Sequence, residues 1–492
     1  MPSIALPVSL RGQLLYSTRI FDPLSLFAAS EPGVWFNPSD LTTLFQDTAG
    51  TTPVTTPGQS VGLMLDKSKG LVLRAELRGG GVVSTVGSPG TLATFNTSTG
   101  AGSAYRLDGS NVSGVQIPVA DGRSYLLDVE QLTGTLQIRG TGVAGNQLVT
   151  SVVGRQTYRL SVATGEDFFF VTGTNAASVT FIVHSVKELP GNHAVQATTA
   201  NRPIYGIEPV GGRRNILLAT DTLATQTRAV TAVAHTLSFT GTGTVTLSGV
   251  STAGPLVGTG ASDRVSLTFT PTAGNLTLTV SGSVTLAQLE TGSTATAYQR
   301  VTDQYNVTEA GVSSVSYLFF DGVNDSLATS TITPGVDKAQ VFAGVRKLSD
   351  AAVGTVAEFS DSADTNNGTM FLRAPQAAAA NYIWRSRGTV SANAISPSNY
   401  AAPISNVVTG VGDILGDVSR IRVNGVQVTE TLTDQGTGNF LAYQMFIGAR
   451  GGTSVFFSGH LYSLIVRFGP NLATGQISST ETWVAGKTGI TI

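Results

Sequence analysis

An all-β protein of antiparallel sandwiches is what this sequence predicts, on three observations. Apolar residues alternate with polar ones at period two: Leu237 and Phe239, then Val245 and Leu247, then Val265, Leu267 and Phe269, then Leu276, Leu278 and Val280. That pattern belongs to strands with one buried face. Gly-Thr-Gly and Thr-Ala-Gly turns separate the runs, in a chain carrying 57 glycines, and glycine is the default residue of tight turns. Charged residues make up 12% of the chain, about half the ~25% of an average domain, so the outward faces of the strands fall to Ser, Thr, Asn and Gln.

The elements follow in order. Asn37-Pro38-Ser39-Asp40 predicts a short helix reaching Phe45, with an N-cap, a proline at the first helical position and an acid in the first turn. Tyr158, Leu160 and Val162, then Phe168 and Phe170, then Val179, Phe181 and Val183 predict an early group of strands. The alternating runs from Leu237 to Val280 predict a second group. Asn424-Gly425 predicts a two-residue hairpin between Arg422-Val423 and Val426. Ser478 and Glu481 predict a capping-box helix ahead of Trp483 and Val484, stopped by Gly486. No stretch alternates strands with long helical patterns, which argues against Rossmann and hydrolase architectures.

Composition excludes several functions. The 492 residues leave room for roughly three domains at ~150 residues each. With no cysteine there is no disulfide, cysteine nucleophile or thiolate zinc site. A net charge of −2 without a basic block argues against a nucleic-acid partner. Met1 to Arg11 lacks a basic, apolar leader, and no run approaches the ~20 apolar residues of a membrane span. Synthesis in a host cytoplasm and no membrane partner are therefore expected.

Several segments resemble structural proteins of tailed phages and prophages. They are Val34-Trp35-Phe36-Asn37-Pro38-Ser39-Asp40-Leu41, Leu44-Phe45-Gln46-Asp47, Val61-Gly62 and Leu65-Asp66-Lys67-Ser68. In that family they run into stretches like Gly191-Asn192-His193-Ala194-Val195 and then Tyr317-Leu318-Phe319-Phe320-Asp321-Gly322. Residues 311–492 resemble the concanavalin A-like (laminin G-like) jelly roll, through Arg422-Val423-Asn424-Gly425-Val426, Ile447-Gly448-Ala449-Arg450 and Phe457-Ser458-Gly459-His460-Leu461-Tyr462. Gly211-Gly212-Arg213-Arg214-Asn215, Ala287-Gln288-Leu289-Glu290 and Ala297-Tyr298-Gln299-Arg300 resemble the edges of phage carbohydrate-binding-like modules.

The resemblance implies a concanavalin A-like jelly-roll sandwich with two inserted smaller antiparallel β-sandwiches. The expected division is an N-terminal attachment arm at 1–31, a discontinuous jelly roll at 32–70, 189–206 and 303–492, and insertions at 71–188 and 207–302. It implies a non-catalytic virion protein, associated with the tail as fibre, tip or baseplate and lectin-like toward host surface glycan. The alternatives are a capsid decoration or head-fibre protein acting as cement, and, ranked last, a capsule depolymerase. Other virion proteins and copies of the same chain, as a trimer in a fibre, are the expected partners.

Candidate sites follow from residue chemistry. Tyr382, Trp384, Arg385 and Arg387 combine rings that stack on sugar C–H faces with donors for hydroxyls; the competing reading is core packing. Asp361, Asp364 and Asn366 offer oxygen ligands for calcium in one loop, against the reading of a solvated turn. No other cofactor is expected. Leu14, Leu15, Ile20 and Phe21 are the apolar residues expected to attach the arm. Gly58-Gln59-Ser60-Val61-Gly62 and Gly140-Thr141-Gly142-Val143-Ala144-Gly145 match nucleophile-elbow and dinucleotide patterns, but neither has the strand–helix context its chemistry needs. Asp321, Asn324 and Asp325 are expected to shape a hairpin.

Overall fold

A computed structural model of the chain describes residues 21–74, 93–95, 104–106, 123–133, 136–140, 147–150, 152–161, 169–173, 179–361 and 365–492. Among these residues the strands build six sheets. The largest has ten strands. Its path runs Gln299–Asp303, Asn306–Glu309, Ile204–Pro209, Ser314–Asp321, Ser458–Phe468, Lys338–Lys347, Ile404–Asp413, Val418–Val423 and Val426–Thr431, with Gly33–Phe36 added against Ser458–Phe468. A nine-stranded sheet faces it, from Leu44–Phe45 through Ala194–Val195 and Gln444–Ile447 to Ile383–Arg387 and Ser391–Ile395. Val34, Phe36, Phe320, Val341, Phe359, Trp384, Ile447 and Leu464 fill the space between the two. The chain is an all-β protein built on a concanavalin A-like jelly-roll sandwich, with smaller antiparallel sandwiches inserted in it.

The family-like segments meet at one buried carboxylate. Asp66 accepts from the backbone N–H groups of Trp35, Ser68 and Asn192, each at 2.8 Å, and from Ser68 Oγ at 2.8 Å. Asn192 Nδ2 donates to the carbonyl of Gly33 at 3.1 Å, and the Asp66 N–H donates to His193 Nδ1 at 3.0 Å. A buried carboxylate demands such donors. The carboxylate thereby ties together segments that lie far apart in the chain. Burial pushes the Asp66 carboxyl above its ordinary range despite them.

The expected helix at 38–45 is absent. The Asn37 side chain instead accepts from Ser39 N–H and Ser39 Oγ, at 3.3 and 2.7 Å, which closes a local turn. A single 3-10 turn, Leu41–Thr43, leads straight into strand Leu44–Phe45. The cap chemistry was legible, but an Asx-type turn uses the same residues. The terminal helix is longer than its caps predicted. It spans Thr474–Thr488, with Ala473 at the N-cap, and Gly486 lies inside it. Gly489, at φ 72°, closes it in the left-handed conformation. Glu481 is buried and pairs with Arg422 at 2.8 Å rather than capping. The helix packs against the outer face of the ten-stranded sheet through Val484 and Ala485, beside Phe342, Val407 and Ile465.

The second small sandwich stacks a four-stranded sheet on a three-stranded one around Leu237, Phe239, Val245, Leu276, Leu278 and Leu289. Its bounds differ from the expected 207–302. Strand Ile204–Pro209 belongs to the ten-stranded sheet up to Pro209, and the chain re-enters that sheet at Gln299. Asn215 ties the two ends together. Its Nδ2 donates to the carbonyls of Ala287 and Gln299, both at 2.9 Å, and its Oδ1 accepts from Leu217 and Leu289 N–H, both at 3.2 Å. Gln299 Oε1 accepts from Arg214 N–H at 2.6 Å. The three module-like motifs are therefore the two ends and one strand of a single hydrogen-bond knot. In the first insertion, the described strands form two four-stranded sheets.

At the turn after strand Ser314–Asp321, Asp321 Oδ1 accepts from the N–H groups of Val323 and Asn324, at 2.7 and 3.1 Å. Asp325 Oδ2 accepts from Asp321 N–H at 3.0 Å. Burial first, then the Asp321 charge, push the Asp325 carboxyl up to about 7. A proton held more tightly in the folded state stabilises the fold below the ordinary value of 3.8, and that contribution is lost as pH rises through about 7. Asp325→Asn keeps the acceptor and removes the charge. It is expected to raise stability by about 1 kcal/mol at pH 8, with the gain shrinking as pH falls through about 7 and gone below 3.8, as read by thermal melts across that range.

Candidate functional site

The ten-stranded sheet has a second apolar face. On strand Ser314–Asp321, Leu318 and Phe320 point into the main core while Val315, Tyr317 and Phe319 point away from it. Two strands away, Arg346 faces the same outer side. The terminal helix covers one end of this face. The other end forms a cleft of about 700 Å³ against the second small sandwich. Tyr317, Phe319, His460 and Arg346 make its floor, and Arg213, Arg228 and Leu218 its opposite wall. The hairpin residues Gln304 and Tyr305 stand at its edge.

Glu208 organises the floor. Its carboxylate accepts from Arg346 Nη1 at 3.0 Å, His460 Nδ1 at 3.4 Å, Arg213 N–H at 3.3 Å and the Tyr462 hydroxyl. Burial opposes its ionisation, but His460, Arg346 and Tyr462 outweigh burial and hold the carboxyl down to about 2. Burial also pushes the His460 imidazole below its ordinary value and the Tyr462 hydroxyl well above. The Tyr317 and His460 rings stack with centroids 3.8 Å apart and planes 3° from parallel. Tyr305 meets Phe319 edge-on at 5.5 Å, and both rings are half-buried. Gly212, at φ 83°, lies where a Cβ would overlap Arg346 Nη1, so a side chain there would displace the arginine.

The sequence-derived candidates do not assemble here. Tyr382 and Trp384 are both 0% exposed and lie in the main core. Asn406 Nδ2 donates to the Tyr382 hydroxyl at 2.8 Å, and Gly410 leaves room for the Trp384 ring. Arg385 and Arg387 have the opposite parity, so they lie on the other face of the same strand. Arg385 Nε donates to Asn393 at 2.7 Å. The four residues are thus split between two faces and form no common sugar site.

Of the calcium candidates, Asp361 is exposed and Asn366 half-buried, its carbonyl accepting from Thr369 Oγ1 at 2.9 Å. Asp364 lies outside the described residues. Among the described residues no group of three or more His, Asp or Glu side chains is placed to hold a metal. Leu14, Leu15 and Ile20 also lie outside the described residues. Phe21 is folded in rather than free: it packs on the cluster of Leu26, Phe27, Trp35 and Val484, because its ring finds apolar cover there. Among the described residues no helix is long and apolar enough to cross a membrane.

Sequence reasoning missed Glu208, Arg228, Tyr305, Tyr317 and Arg346. One signal was present. Strand Ser314–Asp321 is apolar at both parities, with Tyr317 and Phe319 opposite Leu318 and Phe320. A strand apolar on both faces is covered on both.

No protein-family model matches the chain, and no curated protein matches it. Solved structures overlap it in part. The Ruminococcus gnavus IT-sialidase CBM40 bound to alpha2,3 sialyllactose covers 31% of this chain and 97% of its own, at 14% identity and a TM-score of 0.26. A heptameric SAP-like pentraxin from Limulus polyphemus covers 34% of this chain and 80% of its own, at 16% identity and a TM-score of 0.28. The receptor binding domain of botulinum neurotoxin mosaic serotype C/D covers 34% and 41%, at 12% identity and a TM-score of 0.27. Overlaps this limited decide nothing about a ligand.

Proposed function

We propose that the chain is a lectin-like structural component of a tailed-phage particle, tail-associated, which holds host surface glycan in the cleft beside Tyr305 and Phe319. The cleft carries this reading. It sets half-buried aromatic rings next to arginine and glutamine donors in a concave site of about 700 Å³, within the ~300–1,000 Å³ range of small-ligand sites. Sugars need both features, since their C–H faces stack on rings and their hydroxyls take hydrogen bonds. The phage-like segments around Asp66 support the particle origin. A shallow site of this kind gains strength by repetition, which fits a homo-oligomer, a trimer in a fibre, on a symmetric particle.

Binding without turnover fits the acids of the site. Glu208 is the one carboxylate among the described residues lining the cleft, and glycoside cleavage takes a pair. Its lone pairs are already committed to Arg346, His460 and Tyr462.

Two measurements test the proposal. The purified chain on a host-polysaccharide array is expected to bind at millimolar sugar or better, and immunogold label is expected on the tail. An array with no binding refutes the glycan role. Label on the head assigns the chain to capsid decoration instead.

A further inference from the structure

We propose that the sugar read by this cleft carries a carboxylate, and that Arg213 and Arg228 are its readers; the inference rests on the glycan role proposed above. It starts from charge balance. The cleft is lined by Arg213, Arg214, Arg228 and Arg346 against the single carboxylate of Glu208. Arg346 is neutralised by Glu208 at 3.0 Å, and Arg214 by Glu309 at 2.9 Å. The remaining two have no carboxylate partner among the described residues. Arg213 donates from Nε and Nη2 to the carbonyls of Asn215 and Leu217, at 2.6 and 2.9 Å. Arg228 donates from Nε to Gln226 Oε1 at 2.8 Å.

These neutral acceptors hold the side chains in place without cancelling their charge. They also leave Arg213 Nη1 and both terminal nitrogens of Arg228 unengaged by protein groups among the described residues. Burial first, and then the positive charges of Arg228 and Arg346, outweigh the opposing influence of Tyr317 and Glu208 and lower the Arg213 guanidinium to about 10. Like charges converging in a half-enclosed site carry a desolvation cost. An anion bound between them offsets it.

The form of the anion follows from the two walls. A guanidinium presents parallel N–H groups that match a planar carboxylate in a two-point contact. Tyr305, Phe319 and Leu348 also line the cleft, an apolar surface that a small inorganic anion would leave uncovered. A sugar acid fits both: its ring lies on the aromatic side and its carboxylate reaches the guanidinium side. Nucleic acid is disfavoured by the net charge of −2.

The test uses the whole chain against oligosaccharides of hexuronic and nonulosonic acids, each paired with its carboxyl-reduced or amidated counterpart, and against sulfated and neutral sugars. Affinity is read by calorimetry at physiological salt. The acid forms are expected to bind at least tenfold tighter than their neutralised counterparts. Arg228→Ala is expected to remove that preference while leaving the melting temperature unchanged, because the residue is half-buried on strand Gln226–Val230 and its side chain engages one neutral acceptor. Arg228→Lys is expected to restore less than half of the lost affinity, since a lysine makes no two-point contact. Equal binding of acid and neutralised forms, or binding by sulfated sugars alone, overturns this inference and leaves the glycan role standing. Unchanged acid preference in Arg228→Ala overturns the assignment to this cleft. No binding to any sugar overturns both.

Discussion

Trp384→Ala is expected to destabilise the large sandwich by about 3–5 kcal/mol, the range for deleting a large aromatic from a close-packed core. Several facts place it at the top of that range. The side chain is 0% exposed and lies on the next-to-last strand of the nine-stranded sheet, paired with Leu372 on one side and Ala394 on the other. The facing sheet is shaped for it: a Cβ on Gly410 would overlap the ring, and one on Gly412 would come within 3.3 Å. Rigid sheet backbone on both sides cannot collapse into the space, so the cavity persists. The indole Nε1 has no hydrogen-bond partner among the described residues, so Trp384→Phe is expected to cost far less, about 1–2 kcal/mol. Thermal melts should separate the two variants by several degrees. Sugar affinity of Trp384→Phe should equal that of the parent chain, because Trp384 is not among the residues lining the cleft. A loss of affinity without a loss of stability would return Trp384 to the list of sugar contacts.

This tryptophan also shows where the sequence was legible and where it was not. Period-two alternation identified the strands, and the alternation from Leu237 to Leu278 marked the inward side chains of the second small sandwich correctly. Asn424-Gly425 marked its hairpin: both residues have positive φ, 50° and 78°, as a two-residue turn between strands requires. Alternation places Tyr382 and Trp384 on one face, but it does not say whether that face meets another sheet or a ligand. Only the facing strand Ile404–Asp413, with its glycines, decides this. The cleft was illegible for a related reason. Its residues come from several places far apart in the chain, and strand register alone brings Glu208, Tyr317 and His460 together. The helices fared worst, because Asn37 and Ser478 serve equally well in turns, caps and helix interiors. At Gly486 the real stop lay one short turn further on, where Gly489 takes the left-handed conformation.

Glu208→Ala is the second large effect, because the carboxylate sits where four elements meet. Strand Ile204–Pro209 supplies it, strands Lys338–Lys347 and Ser458–Phe468 supply Arg346, His460 and Tyr462, and the Gly211–Asn215 turn supplies the Arg213 N–H. Removing it leaves Arg346 charged and buried, with an Nε that already lacks a partner among the described residues. Breaking one member of such a pair costs about 3–5 kcal/mol, more than the pair itself contributes. Glu208→Gln is expected to cost about 2–3 kcal/mol: it keeps one acceptor but turns an N–H₂ toward donors. The pH dependence separates charge from packing. Because the folded-state carboxyl is held at about 2, below its ordinary value of 4.5, its contribution is full above 4.5 and disappears as pH falls toward 2. The gap between the parent and Glu208→Gln should therefore be widest at neutral pH and narrow below pH 4. A gap that is constant across this range would mean that shape, not charge, holds the junction. The double variant Glu208→Gln with Arg346→Gln should cost less than the sum of its parts, since it strands no charge. The cleft should respond as well. With the Glu208 anchor gone, the turn carrying Arg213 is no longer fixed against the sheet, so sugar affinity is expected to fall together with stability. In Arg228→Ala affinity alone should fall. That contrast distinguishes the residue that positions the wall of the site from the one that reads its ligand.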